Sequence, residues 1–266
     1  MSQDRIDNTP SQHAGSDDSA IPPVEAIPLR FHALLDRVHE AETRAGRPQG
    51  SVTVELAAKF QAPERVLASL NAGATLLGHN IIQQLSASEE ALKAMNAPAH
   101  RVHVIGHVQK NKAQHALRYA QCIETVDDEA LAARLDRLQA ARIERGEAEP
   151  GSTFDVMIQV NSSGAQSQFG IDPSLVQHLA QSIAQLDHLH LIGLMTIGAH
   201  TTDESDIRRS FATTRSLRDS LIDAGFADCT QLSMGMTHDM DLAIEEGSTI
   251  IRVGTAVFGP RPTPAQ

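Results

Sequence analysis

Lysine occurs at only four positions in this chain, and one of them, Lys59, closes the apolar run Val52-Thr53-Val54-Glu55-Leu56-Ala57-Ala58 where a strand should finish. Lys93, Lys110 and Lys112 sit in polar, helix-like surroundings and read as solvated charges. A lysine at a strand terminus is different, because a rigid element holds it and partly desolvates it. Desolvation disfavours the ammonium, which makes the amine a nucleophile able to condense with a carbonyl. The competing reading is a lysine whose stem covers a strand edge while its head stays in water.

A second group of chemically useful residues lies near the other end of the chain. Ser233-Met234-Gly235-Met236-Thr237 and Arg252-Val253-Gly254-Thr255-Ala256 combine hydroxyls with glycines, the parts of a backbone cradle for an anion, although turn and cap chemistry uses the same residues. Arg252 interrupts the apolar run Ile250-Ile251-Arg252-Val253 and so projects from a strand, on the same side as Gly254. It could pair with a buried carboxylate or hold a ligand as a permanent cation; the residues leave both open. His100, His103 and His107 cluster in sequence, but their spacing on a strand sets them too far apart for one ion, and His-Glu-x-x-His is absent. No metal site is expected from them. His103 reads as a hydrogen-bonded core histidine and His107 as a possible ligand contact.

These residues form one site only if the elements carrying them converge. Residues 24–44 have apolar side chains at helical spacing, an N-terminal helix ahead of the rest. Strand-like runs then follow at about 51–58, 74–78, 101–106, 121–126, 154–160, 189–195, 229–233 and 249–253, alternating with helical patterns such as 62–71, 128–145, 173–186 and 204–224. Eight βα units with short connections and no low-complexity linker predict a single (β/α)8 barrel of α/β class spanning 23–262. A doubly wound open sheet is the competitor, but it usually shows a glycine-rich turn after its first strand, and none is present. Residues 1–22, rich in Ser, Asp, Gln and Pro, read as a disordered tail, and 263–266 as a short C-terminal one.

In such a barrel the reactive groups stand at the C-terminal ends of the strands. Those positions hold Lys59, Gly78-His79-Asn80, Gly106-His107, Asn161-Ser162-Ser163-Gly164, Met195-Thr196 and the two motifs of the last strands. Carboxylates are nearly missing, which argues against two-carboxylate glycosidase and carboxylate-metal hydrolase chemistry. Barrel enzymes often seat a phosphate between the loops after strands seven and eight. A lysine on strand one facing such a cup fits an aldehyde-bearing phosphate, and pyridoxal 5'-phosphate (PLP) meets that description, with the amine forming a Schiff base and Arg252 near the pyridine nitrogen.

Composition narrows the alternatives. A net charge of -11 supplies no basic stripe for nucleic acid, and with no Trp and one Tyr there is no stacking platform. Cys122 and Cys229 lack paired spacing, and no membrane-length apolar stretch or signal-peptide core is present, so a cytoplasmic location is expected.

From about residue 25 to 260 the ordered motifs resemble the YggS/PROSC family of pyridoxal phosphate homeostasis proteins, related to the barrel domain of fold type III alanine racemases. Ala58-Lys59 matches the family's Ser/Thr-Lys pair, Gly78-His79-Asn80-Ile81-Ile82-Gln83-Gln84 its Gly-Glu-Asn and Val-Gln-Glu, and His103-Val104-Ile105-Gly106-His107-Val108-Gln109-Lys110-Asn111-Lys112 its His-Phe-Ile-Gly-His-Leu-Gln-x-Asn-Lys. Gln159-Val160-Asn161, Phe169-Gly170, Gly193-Leu194-Met195-Thr196-Ile197, Leu232-Ser233-Met234-Gly235-Met236 and the Arg252 to Gly259 segment match the remaining motifs. The resemblance implies one PLP-binding barrel without a racemase's second domain, acting in cofactor supply or buffering with no established turnover, and so no catalytic residues. It implies Lys59 as the covalent site, Ser233, Gly254 and Thr255 as phosphate contacts, Arg252 at the ring nitrogen and Asn80 lining the pocket. With the strand-end residues His107 and Met195 added, these are the expected cofactor-binding residues. The expected partners are PLP and PLP-dependent apo-enzymes as recipients, and the expected state is a monomer or weak dimer. His79, Ile81 and Gln84 depart from the family's usual residues, so the second-strand side of the pocket is expected to differ. A PLP-dependent racemase-like enzyme is the alternative, but the tyrosine such enzymes set opposite the lysine has only Tyr119 to supply it, in a helix-like stretch.

Overall fold

A computed structural model describes residues 21–260. The expected tails at 1–22 and 263–266 fall, apart from Ile21 and Pro22, outside the described residues, as do the last two residues of the expected barrel. After a 3-10 turn at Val24–Ala26, helix α1 spans Ile27–Arg44 and buries Ile27, Phe31, Leu34, Val38 and Ala41, a stripe at intervals of three and four residues. Strands and helices then alternate: β1 (Thr53–Ala57), α2 (Pro63–Asn71), β2 (Leu76–His79), α3 (Ile82–Ala94), β3 (Arg101–Val104), α4 (Ala113–Tyr119), β4 (Cys122–Val126) and α5 (Glu129–Glu144). The second half comprises β5 (Phe154–Gln159), α6 (Val176–Ile183), β6 (Leu189–Met195), α7 (Glu204–Asp223), β7 (Gln231–Ser233), α8 (Met240–Glu245), β8 (Ile250–Val253) and α9 (Thr255–Phe258). The strands are all parallel and close in sequence order, with β8 pairing back onto β1. The (β/α)8 barrel read from the alternation is therefore the fold.

Period-two alternation divides the side chains into two populations. Val54 and Leu56 of β1, Val102 and Val104 of β3, Leu232 of β7, and Ile251 and Val253 of β8 face the helices and make the apolar core. Their sequence neighbours face the barrel interior, which is polar at mid-height: Glu55, His103, Glu124, Ser233 and Arg252 are all buried there. The β4–β5 register shifts between Ile123 and Val126, a bulge in the segment that carries Glu124. Among the described residues no helix is long and apolar enough to cross a membrane.

Candidate functional site

Lys59 keeps the inward parity of Glu55 and Ala57, two residues beyond the end of β1, and the chain turns sharply behind it. Phe60 takes φ 61°, unusual for a residue with a side chain, and its N–H donates to Gln84 Oε1 at 3.3 Å. Gln84, at a family glutamate position, thus pins the turn that presents the amine.

The amine faces a cavity of about 360 Å³ at the C-terminal mouth of the barrel, within the range of small-ligand sites. Six of the eight expected residues line it: Lys59, Asn80, Met195, Arg252, Gly254 and Thr255. Asn80 comes from the end of β2, and Gly106 makes its position possible, since a Cβ there would stand 2.0 Å from the Asn80 carbonyl oxygen. Thr255 opens the short helix α9, and its Oγ1 lies 3.0 Å from Thr237 Oγ1, so the loops after β7 and β8 do meet. A Cβ on Gly254 would meet Ala57 O at 3.4 Å and Ala57 Cβ at 3.5 Å, ordinary contact distances. Gly235 answers a different demand, because at φ 94° a Cβ would lie 2.4 Å from Ala243 on α8. Helix packing therefore accounts for that glycine.

Ser233 and His107 stand apart from the cavity lining. Ser233 points inward one layer below the mouth, fully buried; its Oγ accepts from Arg252 Nη1 at 2.8 Å and donates to Glu124 Oε2 at 2.5 Å. Its hydroxyl is thus already committed in both directions. His107 sits on the rim, stacked on Phe169 with ring centroids 4.5 Å apart. His79 takes no part in the second-strand wall: it follows Gly78 with outward parity, and its Nε2 lies 3.6 Å from Glu89 Oε1 on α3. Its replacement of the family's glutamate is felt between sheet and helix, on the side away from the cavity. His100 also reaches Glu89, at 3.0 Å, so the three clustered histidines diverge.

Arg252 is buried, and it is linked to a carboxylate only through a bridging hydroxyl. Its guanidinium lines the cavity, while Nη2 donates to Thr196 O at 2.7 Å and Nη1 reaches Glu124 through Ser233. The scarcity of carboxylates at strand ends holds, but two lie one layer deeper. Burial pushes the Glu124 carboxyl up, and the hydrogen bond and charge of His103, the Arg252 charge and the Ser233 hydrogen bond outweigh it, leaving Glu124 below the usual range. Burial and the Glu124 charge hold the Glu55 carboxyl well above it. The sequence carries a signal for both, a glutamate inside a mainly apolar strand run. Ala57, Ile105, Ile197, Met236 and His238 are also in the lining; Ile105, Ile197 and Met236 lay within the quoted motifs without a role of their own, and His238 follows the strand-seven motif directly.

A family model described as the alanine racemase N-terminal domain matches residues 37–262. An Aquifex aeolicus protein named pyridoxal phosphate homeostasis protein is 33% identical over 232 residues, covering 87% of this chain and 97% of its own. The crystal structure of an unknown protein from Bifidobacterium adolescentis superposes with TM-score 0.82 at 38% identity, covering 91% of this chain and all of that one. PipY of Synechococcus elongatus PCC7942, solved with PLP bound, superposes with TM-score 0.73 at 30% identity over 88% of this chain and all of its own.

Proposed function

Because the chain belongs to the alanine racemase N-terminal domain family, we propose that it binds PLP reversibly through Lys59 and serves PLP homeostasis as a carrier without turnover of its own. One observation carries this reading: a strand-end lysine, a buried arginine and the Gly254-Thr255 backbone turn line a single cavity of small-ligand size. A relative named for PLP homeostasis and another solved with PLP support it.

The residues present fit the cofactor. When bound, PLP supplies an aldehyde that an amine attacks with loss of water, a linkage that hydrolysis reverses. Lys59 provides the amine from a pinned turn. Thr255 and Thr237 offer hydroxyls for the phosphate, and Gly254 lets the backbone come close. Arg252, held by Ser233 and Thr196, would supply a permanent cation beside the ring nitrogen, which would disfavour a proton there. Tyr119, the single tyrosine, donates to Glu90 Oε1 at 2.6 Å on the outer face, so this chain sets no tyrosine opposite Lys59. Apo forms of PLP-dependent enzymes would be the recipients.

Purified protein mixed with PLP should develop an absorbance band near the visible edge that borohydride fixes onto Lys59. If Lys59→Ala binds PLP covalently as well as the unaltered chain, the lysine assignment is wrong. Turnover of any amino acid in a racemase, lyase and transaminase panel would overturn the carrier reading.

A further inference from the structure

We propose that the middle of the barrel, one layer below the PLP cavity, holds a first-row divalent cation of the zinc or manganese type on Glu55, His103 and Glu124. One ligand atom from each lies within 4.8 Å of the others, and all three residues are buried. His103 Nδ1 stands 2.7 Å from Glu124 Oε1 and 3.8 Å from Glu55 Oε1. Two carboxylates and an imidazole are a ligand set for such ions, and modest side-chain rotations would bring the three donors to the roughly 2.0–2.2 Å bond lengths these ions take.

The second observation is Glu55 itself. It is 0% exposed, and neither carboxylate oxygen has a hydrogen-bond partner. The nearby cation does not serve it, because Arg252 directs its donors to Ser233 and Thr196. A buried carboxylate without a donor is costly, so a proton or a bound cation must neutralise it. The backbone accommodates the group deliberately: a Cβ on Gly78 would stand 2.9 Å from both Glu55 Cδ and Oε1. On the opposite wall, the β4 bulge lies in the segment that carries Glu124.

A second cavity, separate from the upper one, abuts this layer from the other end of the barrel. At the N-terminal mouth, a cavity of about 370 Å³ is lined by Arg101, His103, Asp155, His190, Asp228 and Gln231, so His103 forms part of its inner wall. His103 Nε2 has no hydrogen-bond partner, and at the mouth Asp155 pairs with Arg101 at 3.3 Å and with His190 at 3.0 Å, while Asp228 lies 3.4 Å from His190. A small cation could reach the imidazole from below, while PLP would occupy the upper mouth.

The test is titration of the chelator-treated full chain with zinc and with manganese, followed by calorimetry and thermal unfolding. One equivalent of each should bind with dissociation constants of micromolar order or tighter and raise the melting temperature. Glu55→Gln and His103→Gln should each weaken binding by about tenfold or more, one unit of log K being about 1.4 kcal/mol, and abolish the thermal response. Anomalous scattering from a zinc-soaked crystal should place the ion between Glu55 and Glu124, a readout that needs no variant. Absence of stoichiometric binding, with Glu55→Gln simply stabilising the metal-free protein, would show a buried proton in place of an ion and overturn the proposal. Metal binding that survives in both variants, or anomalous peaks only at surface histidines, would overturn it equally.

Discussion

Arg252 and Glu124 never touch, yet the hydroxyl of Ser233 joins them: it accepts from the guanidinium at 2.8 Å and donates to the carboxylate. Ser233, expected at a phosphate, thereby braces from below the guanidinium that lines the cavity. Removing it leaves a buried donor and a buried acceptor unpaired. Ser233→Ala should cost about 1–3 kcal/mol in chemical denaturation and weaken PLP binding in an absorbance titration, whereas Ser233→Thr, which keeps the hydroxyl, should retain most of both. An unaltered affinity in Ser233→Ala would detach Arg252 from cofactor retention.

Gly106 carries a steric prediction. Because a Cβ would sit 2.0 Å from the Asn80 carbonyl oxygen, Gly106→Ala must displace the end of β2 or its own loop. We expect a loss of about 1–3 kcal/mol, the usual range for overpacking, with PLP affinity falling in parallel as Asn80 leaves the cavity wall. Gly46→Ala, where nothing lies within 4 Å but φ is 67°, should lose stability alone.

Gln84 tests the turn behind the lysine. Its Oε1 accepts the Phe60 N–H, so Gln84→Leu should loosen the presentation of Lys59 and weaken PLP binding, at a stability cost of about 0.5–1.5 kcal/mol, that of one hydrogen bond. Gln84→Glu keeps an acceptor and should bind PLP nearly as the unaltered chain does.

The pH dependence of unfolding should show the Glu89 cluster between α3 and the sheet. Burial pushes the Glu89 carboxyl up, but the hydrogen bond from His100 and the adjacent His79 imidazole outweigh it and hold Glu89 below its ordinary 4.5, while the hydrogen bond to Glu89 chiefly raises His100 above its ordinary 6.5. Glu89 stabilises the fold above about pH 4.5 and loses that contribution as pH falls through its lowered value. His100 contributes fully below about pH 6.5 and loses it as pH rises through its raised value. Melting temperature should therefore decline on both sides of a mildly acidic optimum, and Glu89→Gln should flatten both flanks. An unchanged profile in that variant would assign the dependence elsewhere.

The eight-stranded barrel was legible because parallel strands covered by helices need near-continuous apolar runs, and helices on a barrel need one apolar face; both periodicities survive in a linear reading. Lys59, Asn80, Met195, Arg252, Gly254 and Thr255 were legible for a related reason: in this fold, position at a strand's C-terminal end already determines proximity to the mouth. Depth and direction were not. Whether Ser233 faces a ligand or a buried carboxylate depends on how strands β4, β7 and β8 stagger around the closure, and residues 109 positions apart, such as Ser233 and Glu124, meet only through it. Likewise, His79 lies beside a site residue in the chain but on the far side of the sheet, because successive side chains on a strand point to opposite faces. The sequence by itself determined the elements, their order and which strand ends converge. Only the closed barrel decided which polar groups neutralise one another inside it, since that depends on distances between side chains no local pattern encodes.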